Sequence, residues 1–308
     1  MKIINKETIM DRFHAIPLKK HIEAIANGFI SYSNGKANIP PVGHLKMKTP
    51  PGDIHIKYGA IDKTPNYVIK IASGFYNNPS IGIPSSNGMM LAFNAQTGEP
   101  NTILLDEGFL TDIRTGLAGA VCAKYVGPKD IHQIGVVGTG IQARLQLKCL
   151  EGITDCRKVK VWGRNKEKAM IYEAEMKEAG YSVEIANDLK DLVSSSNLIV
   201  TTTPSTIPLI NGDWVIPGTH ITAVGSDTPG KRELEKNVLE KANYVIADSI
   251  SQCSTQGELQ YKKNETVIEL GDWIANNTLR KITDITVCDL TGVAVQDIVI
   301  ANSIIDQN

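Results

Sequence analysis

The sequence predicts an α/β protein: a Rossmann-type, doubly wound parallel sheet in the second part of the chain and an α+β domain before it. From residue 134 onward, short apolar strands alternate with helical segments, and parallel neighbours need such crossovers. Before residue 115 the pattern is mixed, with a helical start to about residue 27 and a Pro/Gly-punctuated stretch at residues 39–52. This change of pattern predicts two domains.

The elements follow from apolar periodicity and from turn residues. The strands predicted in the second part are residues 134–137, 158–162, 182–185, 198–202, 220–224, 244–247 and 285–290. In the first part the extended segments are residues 55–58 and 67–72, with a hairpin formed by residues 89–93 and 102–105. A helix is expected from residue 110 to about residue 125 with Thr111 as N-cap, and Asn165 is expected to cap a later helix.

The chain ends in an apolar helix at about residues 293–305, which we expect to pack back on the first domain. The predicted substrate-binding and dimerisation domain is therefore residues 1–115 together with residues 293–308. The predicted dinucleotide-binding domain is residues 116–292.

Composition excludes several classes of protein. Of the 308 residues 42% are hydrophobic and 21% charged, and the net charge is −1, which gives no electrostatic case for nucleic acid or an anionic membrane. No segment approaches the roughly 20 apolar residues that a membrane span needs. The five cysteines form no CxxC pair, so neither a disulfide framework nor a metal site is expected. These features predict a cytoplasmic protein.

A glycine-rich loop carries the first functional prediction. Gly138, Gly140 and Ala143 form a GxGxxA pattern directly after one strand and directly before a helix, which is the context of a dinucleotide site. The first glycine permits the turn, the second admits the pyrophosphate, and free N–H groups at the helix N-terminus hold its charge. We predict cofactor contacts along the loop, from Gly138, Thr139, Gly140, Ile141, Gln142 and Ala143. A plain β–α turn is the alternative.

The choice of cofactor depends on the end of the second strand. An enzyme that prefers NAD usually has an acidic residue there to bind the ribose 2′-hydroxyl, but this sequence has Gly163-Arg164-Asn165. A guanidinium at Arg164 can pair with a 2′-phosphate. We predict NADP(H) as the preferred cofactor and NAD(H) as the alternative, unless Arg164 is only a solvated residue before a helix.

Two basic residues of the first part are candidates for substrate binding. Lys70 lies inside an apolar strand, so its side chain either reaches solvent at an edge or points into a polar pocket. Arg114 lies in the first turn of a helix, where the dipole disfavours a cation unless an anion is near. That anion is either a substrate carboxylate or an internal partner, namely Asp106, Glu107 or Asp112.

The sequence resembles the ornithine cyclodeaminase/μ-crystallin family over nearly its whole length. The matching blocks are residues 68–70 with Asn87-Gly88, residues 110–116, 135–143, 201–204, 225–233 and 292–297. Taken alone, residues 225–231 would be an ordinary turn after a strand.

The resemblance implies a homodimer joined through the N-terminal domains, with the active site between the two domains of each subunit. It implies that Lys70 contacts the substrate and assists proton transfer, that Arg114 binds the substrate carboxylate and that Asp227 engages the substrate nitrogen. It also places Thr203 and Pro204 along the nicotinamide.

The sequence departs from the family at three places. Where members often have a second carboxylate-binding arginine, this chain offers His44 or Lys46 as substitutes. Where cyclodeaminases tend to have an acidic residue, it has residues 55–57, His-Ile-Lys, and it has Arg164 in place of an NAD-type aspartate. The last two differences point away from ornithine cyclisation.

We therefore predict an NAD(P)H-dependent reductase of a small α-imino acid, preferably a cyclic ketimine such as Δ1-pyrroline-2-carboxylate, which gives L-proline. Iminosuccinate is a linear candidate. The alternatives are ornithine cyclodeaminase, an alanine-type amino-acid dehydrogenase, and a non-catalytic μ-crystallin-like carrier.

Overall fold

The computed structural model describes residues 1–75, 77–261 and 266–306. The chain divides into two units. The first unit comprises Met1–Arg114 and Val293–Asn308, and the second comprises Thr115–Gly292.

The first unit combines one sheet with helices. Its elements are β1 (Lys2–Asn5), α1 (Lys6–Ala15), α2 (Leu18–Ser33), β2 (Ala37–Asn38), β3 (Gly43–Lys48), β4 (Pro51–Ile61), β5 (Asn66–Gly74), β6 (Ser86–Asn94), β7 (Pro100–Leu105) and the start of α3 (Phe109–Tyr125). The strand order is β1-β7-β6-β5-β4-β2, with β3 also paired to β4. β1 runs parallel to β7, and the other neighbours are antiparallel.

The second unit is a parallel sheet of eight strands with helical crossovers. Its elements after α3 are β8 (Ile134–Val137), α4 (Ile141–Cys149), β9 (Lys158–Trp162), α5 (Lys166–Glu178), β10 (Ser182–Ile185), α6 (Leu189–Ser195), β11 (Leu198–Thr201), β12 (His220–Ala223), α7 (Lys236–Lys241), β13 (Tyr244–Ala247), α8 (Ile250–Gln256), β14 (Val267–Glu269), α9 (Leu270–Ala275) and β15 (Thr286–Asp289). The order is β10-β9-β8-β11-β12-β15-β13-β14. The chain leaves β8 toward β9 on one side and later returns to β11 on the other, so the carboxyl ends of β8 and β11 form the switch point where such sheets bind ligands.

The last helix, α10 (Ala294–Ile305), belongs to the first unit. It packs against α2, β4 and β5, and its apolar side chains Val295, Ile298 and Ile304 are fully buried.

The predicted fold class is confirmed, and so are the parallel sheet and the antiparallel pairing of β6 with β7. Asn165 caps α5 by accepting a hydrogen bond from the N–H of Lys168. The predicted helical start is present as α1 and α2, but a short strand precedes it, because β7 supplies hydrogen-bond partners to residues 2–5. Residues 39–52, for which no strand was predicted, contain β3 and the start of β4.

The N-cap predicted for α3 was wrong. The helix begins at Phe109, two residues before Thr111. Asp106 caps it instead, with its Oδ2 accepting the N–H of Leu110 at 2.8 Å. Glu107 and Gly108 both have positive φ, at 52° and 87°, and this left-handed turn leads the chain from Asp106 into the helix.

Candidate active site

Lys70 is the most deeply buried cation of the first unit. It lies on β5 on the same face as Val68, and its relative exposure is 1%. Its Nζ donates a hydrogen bond of 2.9 Å to Oδ1 of Asp297 on α10. Of the two environments considered for Lys70, a polar pocket and a solvated edge, the structure has the buried polar one.

Arg114, near the start of α3, reaches the same carboxylate. Its Nε lies 3.0 Å from Oδ1 of Asp297, an ion pair without hydrogen-bond geometry, and its Nη1 donates to Oε1 of Gln296 at 2.9 Å. The anionic partner inferred from the helix position therefore exists within the protein. It is Asp297, which was not among the three acidic residues considered from the sequence.

Asp297 and Gln296 were missed in the sequence, although a signal was present. Both lie in the N-terminal part of α10, an otherwise apolar helix, and both are 1% exposed. Polar side chains at buried positions of such a helix need partners. Two of their atoms, Oδ2 of Asp297 and Nε2 of Gln296, are buried without a hydrogen-bond partner.

Electrostatics sets the protonation of this cluster. Burial, together with the charge of Arg114, lowers the pKa of Lys70 to about 7, while Asp297 opposes the shift. Burial disfavours ionisation of Asp297, but the charges of Lys70 and Arg114 hold its pKa below the ordinary value. Burial raises the pKa of the nearby Asp106. The cluster thus contains an ammonium group that can exchange its proton near neutral pH.

The substitutes proposed for the second arginine lie on the same face of the sheet as Lys70. In the pairing of β4 with β5, Lys57 stands opposite Lys70. In the pairing of β3 with β4, His44 stands opposite His55 and Lys46 opposite Asp53. Directly paired residues share a face, and so do residues two apart along a strand, about 7 Å from each other. Lys57 is buried, whereas His44 and Lys46 are exposed.

One group of side chains within the described ranges could hold a metal ion. It consists of His44, Asp53 and His55, whose ligand atoms all lie within 4.8 Å of one another. Nε2 of His44 is 3.0 Å from Oδ1 of Asp53. Lys46 and Lys57 lie on the same face beside the group, and their charges oppose the binding of a cation.

The glycine loop has the geometry that a dinucleotide requires. Gly138 has a φ of +121°, and an added Cβ would lie 2.4 Å from Oγ1 of Thr202. At Gly140, the N-cap of α4, an added Cβ would meet no atom within 4 Å. The backbone there is open on the side where a pyrophosphate would approach. Ala143 is fully buried, as close packing of helix on strand requires.

The other loop residues complete this picture. Ile141 is exposed and Thr139 half-buried, while Gln142 lies in the first turn of α4. The first-turn N–H groups of a helix have no partner inside it, so they can bind a phosphate oxygen. These residues fit the predicted cofactor.

Arg164 follows the end of β9 and is exposed. Gly163 before it passes close to the glycine loop, because an added Cβ there would lie 2.6 Å from Cγ2 of Thr139. The guanidinium is therefore carried by a segment adjacent to the loop. In NAD(P) enzymes this is the segment that meets the adenosine ribose.

Thr203 and Pro204 follow β11, and a buried carboxylate to which the sequence pattern assigned no role holds this turn. Glu233 accepts hydrogen bonds from Oγ1 of Thr201 at 2.6 Å and from the N–H and Oγ1 of Thr203 at 2.6 and 2.7 Å. It also accepts the N–H of Gly225 at 2.8 Å. Glu233 therefore ties together the ends of β11 and β12, while Pro204 stays exposed.

Asp227 lies after β12 in the second unit and is half-exposed. Its Oδ1 accepts a hydrogen bond of 2.6 Å from Nζ of Lys231. Its carboxylate therefore lies in the segment after the carboxyl end of β12 and is paired with a lysine of the same segment.

A family model described as "Ornithine cyclodeaminase/mu-crystallin family" matches residues 6–308. A protein named as an uncharacterised cyclodeaminase of Sinorhizobium fredii is 37% identical over 273 residues, which cover 85% of this chain and 82% of that protein. The family predicted from the sequence is confirmed by the match to this family model.

Two solved structures are similar over the whole chain. One is an archaeal alanine dehydrogenase dimer with bound NAD, 27% identical, with a TM-score of 0.88 over 99% of this chain and 94% of that one. The other is the Δ1-pyrroline-2-carboxylate reductase of Thermococcus litoralis with NADH and L-proline. It is 25% identical, with a TM-score of 0.90 over 99% of this chain and 96% of that one. The predicted class, a nicotinamide-dependent oxidoreductase of amino or imino acids, is confirmed at that level.

Proposed function

We propose that this chain, which belongs to the ornithine cyclodeaminase/mu-crystallin family, is a reductase of small α-imino acids. Its preferred cofactor is NADPH, and its product is the corresponding amino acid. The relatives support the reaction class, and the residues of this chain support the direction and the substrate.

The observation that carries the proposal is the buried cluster of Lys70, Arg114 and Asp297. Two cations share one carboxylate oxygen, at 2.9 and 3.0 Å, and Lys57 contributes a third cation on the same face as Lys70. Such an excess of positive charge favours an anionic ligand. A lysine that exchanges its proton near neutral pH suits a reaction that protonates a nitrogen.

Each residue has one role in the proposed reaction. Arg114 binds the substrate carboxylate and fixes the position of the imine carbon. Lys70 donates a proton from Nζ to the imine nitrogen, which makes the carbon electrophilic, and solvent restores the proton. Asp227 stabilises the iminium charge. A bound nicotinamide supplies the hydride that adds to the carbon.

The cofactor preference depends on Arg164. The glycine loop from Gly138 to Ala143 binds the pyrophosphate, and Arg164 pairs with the 2′-phosphate of NADPH. The segment after β9 has no acidic residue before Glu167 to accept the ribose hydroxyl of NADH. Thr203 and Pro204, held by Glu233, contact the nicotinamide.

The preferred substrate is a cyclic ketimine such as Δ1-pyrroline-2-carboxylate. The segment His55-Ile56-Lys57 stands where cyclodeaminases tend to have an acidic residue, so the binding of a distal amino group, as in ornithine, is disfavoured. The same lysine favours iminosuccinate as a second candidate, because a buried cation beside Lys70 can bind a second carboxylate.

The proposed active form is a homodimer joined through the first unit. One face of its sheet carries Lys57 and Lys70, and the opposite face is apolar yet partly exposed. The relative solvent exposures of Leu45, Ile56 and Tyr58 on that face are 56%, 38% and 39%. An apolar sheet face of this kind is typical of a protein interface. A second copy of the chain would cover it, and light scattering of wild type and of Tyr58→Glu tests this.

The test of the function is cofactor oxidation at 340 nm with NADPH or NADH. Δ1-pyrroline-2-carboxylate, iminosuccinate formed in situ, and pyruvate with ammonium are compared as substrates. We expect fastest oxidation of NADPH with a preformed imine. If only pyruvate with ammonium reacts, the protein is an amino-acid dehydrogenase, and if none reacts, the reductase proposal is wrong.

A further inference from the structure

Asp297 occupies a distinctive position, because a single oxygen of its carboxylate serves two cations from different elements. Oδ1 lies 2.9 Å from Nζ of Lys70 on β5 and 3.0 Å from Nε of Arg114 on α3. The carboxylate itself is 1% exposed and is held on α10. It is therefore the common partner of the two side chains to which the proposed reaction assigns proton transfer and carboxylate binding.

The charged groups that act on Lys70 come from four segments. Arg114 on α3 and Lys57 on β4 disfavour its ammonium form, as burial does, whereas Asp297 favours it. Asp106, which precedes α3, also interacts with Lys70. On the β6 side, Lys70 faces the apolar Met90. Asp297 is the carboxylate whose oxygen is in hydrogen-bond contact with Nζ.

We propose that Asp297 is a positioning residue that keeps Lys70 protonated at neutral pH and orients the guanidinium of Arg114. This role rests on the proposed reductase function and assigns to α10 a direct part in its site. The location suits an anion, because Asp297 lies near the N-terminus of α10, where the helix dipole stabilises negative charge.

Geometry explains how one carboxylate performs both tasks. The charge of Asp297 lies 3.0 Å from Nε of Arg114, and Nη1 donates a hydrogen bond to Gln296, so two contacts to α10 hold the guanidinium in place. In the proposed reaction its other N–H groups bind the substrate carboxylate. The ammonium of Lys70 keeps two further N–H bonds besides the one donated to Oδ1, and one of these carries the proton for the imine nitrogen.

The test is the pH dependence of kcat/KM for imine reduction. Lys70 must be protonated, so the rate should fall as pH rises through its pKa, which is about 7. Removing a carboxylate at contact distance lowers a neighbouring pKa by about 1–3 units. Asp297→Asn should therefore move the falling limb to lower pH by about 1–3 units, with a larger loss of activity at pH 8 than at pH 6. The substrate imine titrates in the same way in the assays of wild type and of the variant, so a difference between the two pH profiles arises from the enzyme.

Two further variants separate this role from a merely structural one. Asp297→Glu keeps the charge and should leave the midpoint of the fall in kcat/KM within about half a pH unit of that of wild type. Asn302→Ala removes a different buried polar side chain of α10, which bonds to Asn66, and should leave the limb in place. An equal loss of activity at every pH in Asp297→Asn would overturn the proposal, as would an equal shift in Asn302→Ala.

A second measurement does not need turnover. In protein made with ¹³C- and ¹⁵N-labelled lysine, NMR follows the protonation of Lys70 Nζ against pH, and no reagent has to reach the buried amine. In Asp297→Glu that profile should match wild type, and in Asp297→Asn its midpoint should move to lower pH. If the midpoint does not move, Asp297 does not control the proton. If it moves but no imine is reduced, the assignment of Asp297 stands and the reductase function fails.

Discussion

Replacing Arg114 by lysine tests the assignment of the substrate carboxylate. The change keeps the positive charge beside Asp297 and removes the planar fork. Two nitrogens of the Arg114 guanidinium, Nε and Nη1, lie 3.0 Å from Asp297 and 2.9 Å from Gln296. The proposal gives the remaining N–H groups to the substrate. A lysine ammonium at this position can satisfy Asp297 but cannot at the same time reach Gln296 and pair bidentately with a carboxylate.

The size of the effect follows from the hydrogen bonding that lysine cannot reproduce. A hydrogen bond to a charged group contributes about 1.5–3 kcal/mol. Removing one such bond to the substrate carboxylate lowers kcat/KM by about 10- to 150-fold. The affinity for NADPH should stay unchanged, because the proposal assigns the phosphate contacts of the cofactor to the glycine loop and Arg164 and none of them to Arg114.

The assay is steady-state reduction at 340 nm, with thermal unfolding and NADPH titration as companions. Arg12→Lys is the matched control, since Arg12 also contacts α10, through the carbonyl of Ile304 at 2.8 Å, but has no proposed substrate role. Arg114→Lys with near-normal kcat/KM would refute the reasoning. A variant that loses its fold would make Arg114 a structural residue.

Three other variants test separate parts of the account. Arg164→Ala should weaken NADPH binding by about 1.5–3 kcal/mol and leave NADH binding nearly unchanged in fluorescence titrations, and equal losses would remove the basis for NADP preference. Gly138→Ala should abolish tight cofactor binding, because its Cβ would lie 2.4 Å from Oγ1 of Thr202 and the φ of +121° disfavours alanine; cofactor affinity like that of wild type would contradict the loop geometry. Asp289→Asn addresses stability, because burial raises the pKa of Asp289 to about 7. The contribution of this carboxyl group to the free energy of unfolding is therefore present at low pH and lost as pH rises through about 7. In urea unfolding, the free energy of unfolding of the variant should rise relative to that of wild type by about 2–4 kcal/mol between pH 5 and pH 9. A difference between the two proteins that is the same at both pH values would show that Asp289 does not titrate in this range.

Features set by neighbouring residues were predictable from the sequence. The glycine loop between β8 and α4, the cap at Asn165 and most strands of the parallel sheet depend on short-range pattern, and the structure has them where expected. The start of α3 was not predictable in this way. It depends on Glu107, a residue other than glycine with a φ of 52°, and no pattern in the sequence indicates that conformation.

The partners within the site were less accessible to sequence reasoning. Lys70 and Asp297 are 227 positions apart, and only the packing of α10 on β5 brings them together. Glu233 was visible within a matching block, but its hydrogen bonds to Thr201 and Thr203 depend on the sheet register. The sequence thus indicated which cations to consider, while the roles of Asp297, which pairs with them, and of Glu233, which holds the turn after β11, required the fold.

The most direct test of the central claim uses NADPH carrying deuterium at the transferable position of the nicotinamide. With Δ1-pyrroline-2-carboxylate, we predict one equivalent of cofactor consumed per proline formed, with one deuterium on the carbon that bears the nitrogen. Ornithine and NAD⁺ are incubated in parallel and assayed for ammonia. Release of ammonia from ornithine at catalytic NAD⁺, with no deuterium transferred to proline in the first reaction, would contradict the account and identify a cyclodeaminase.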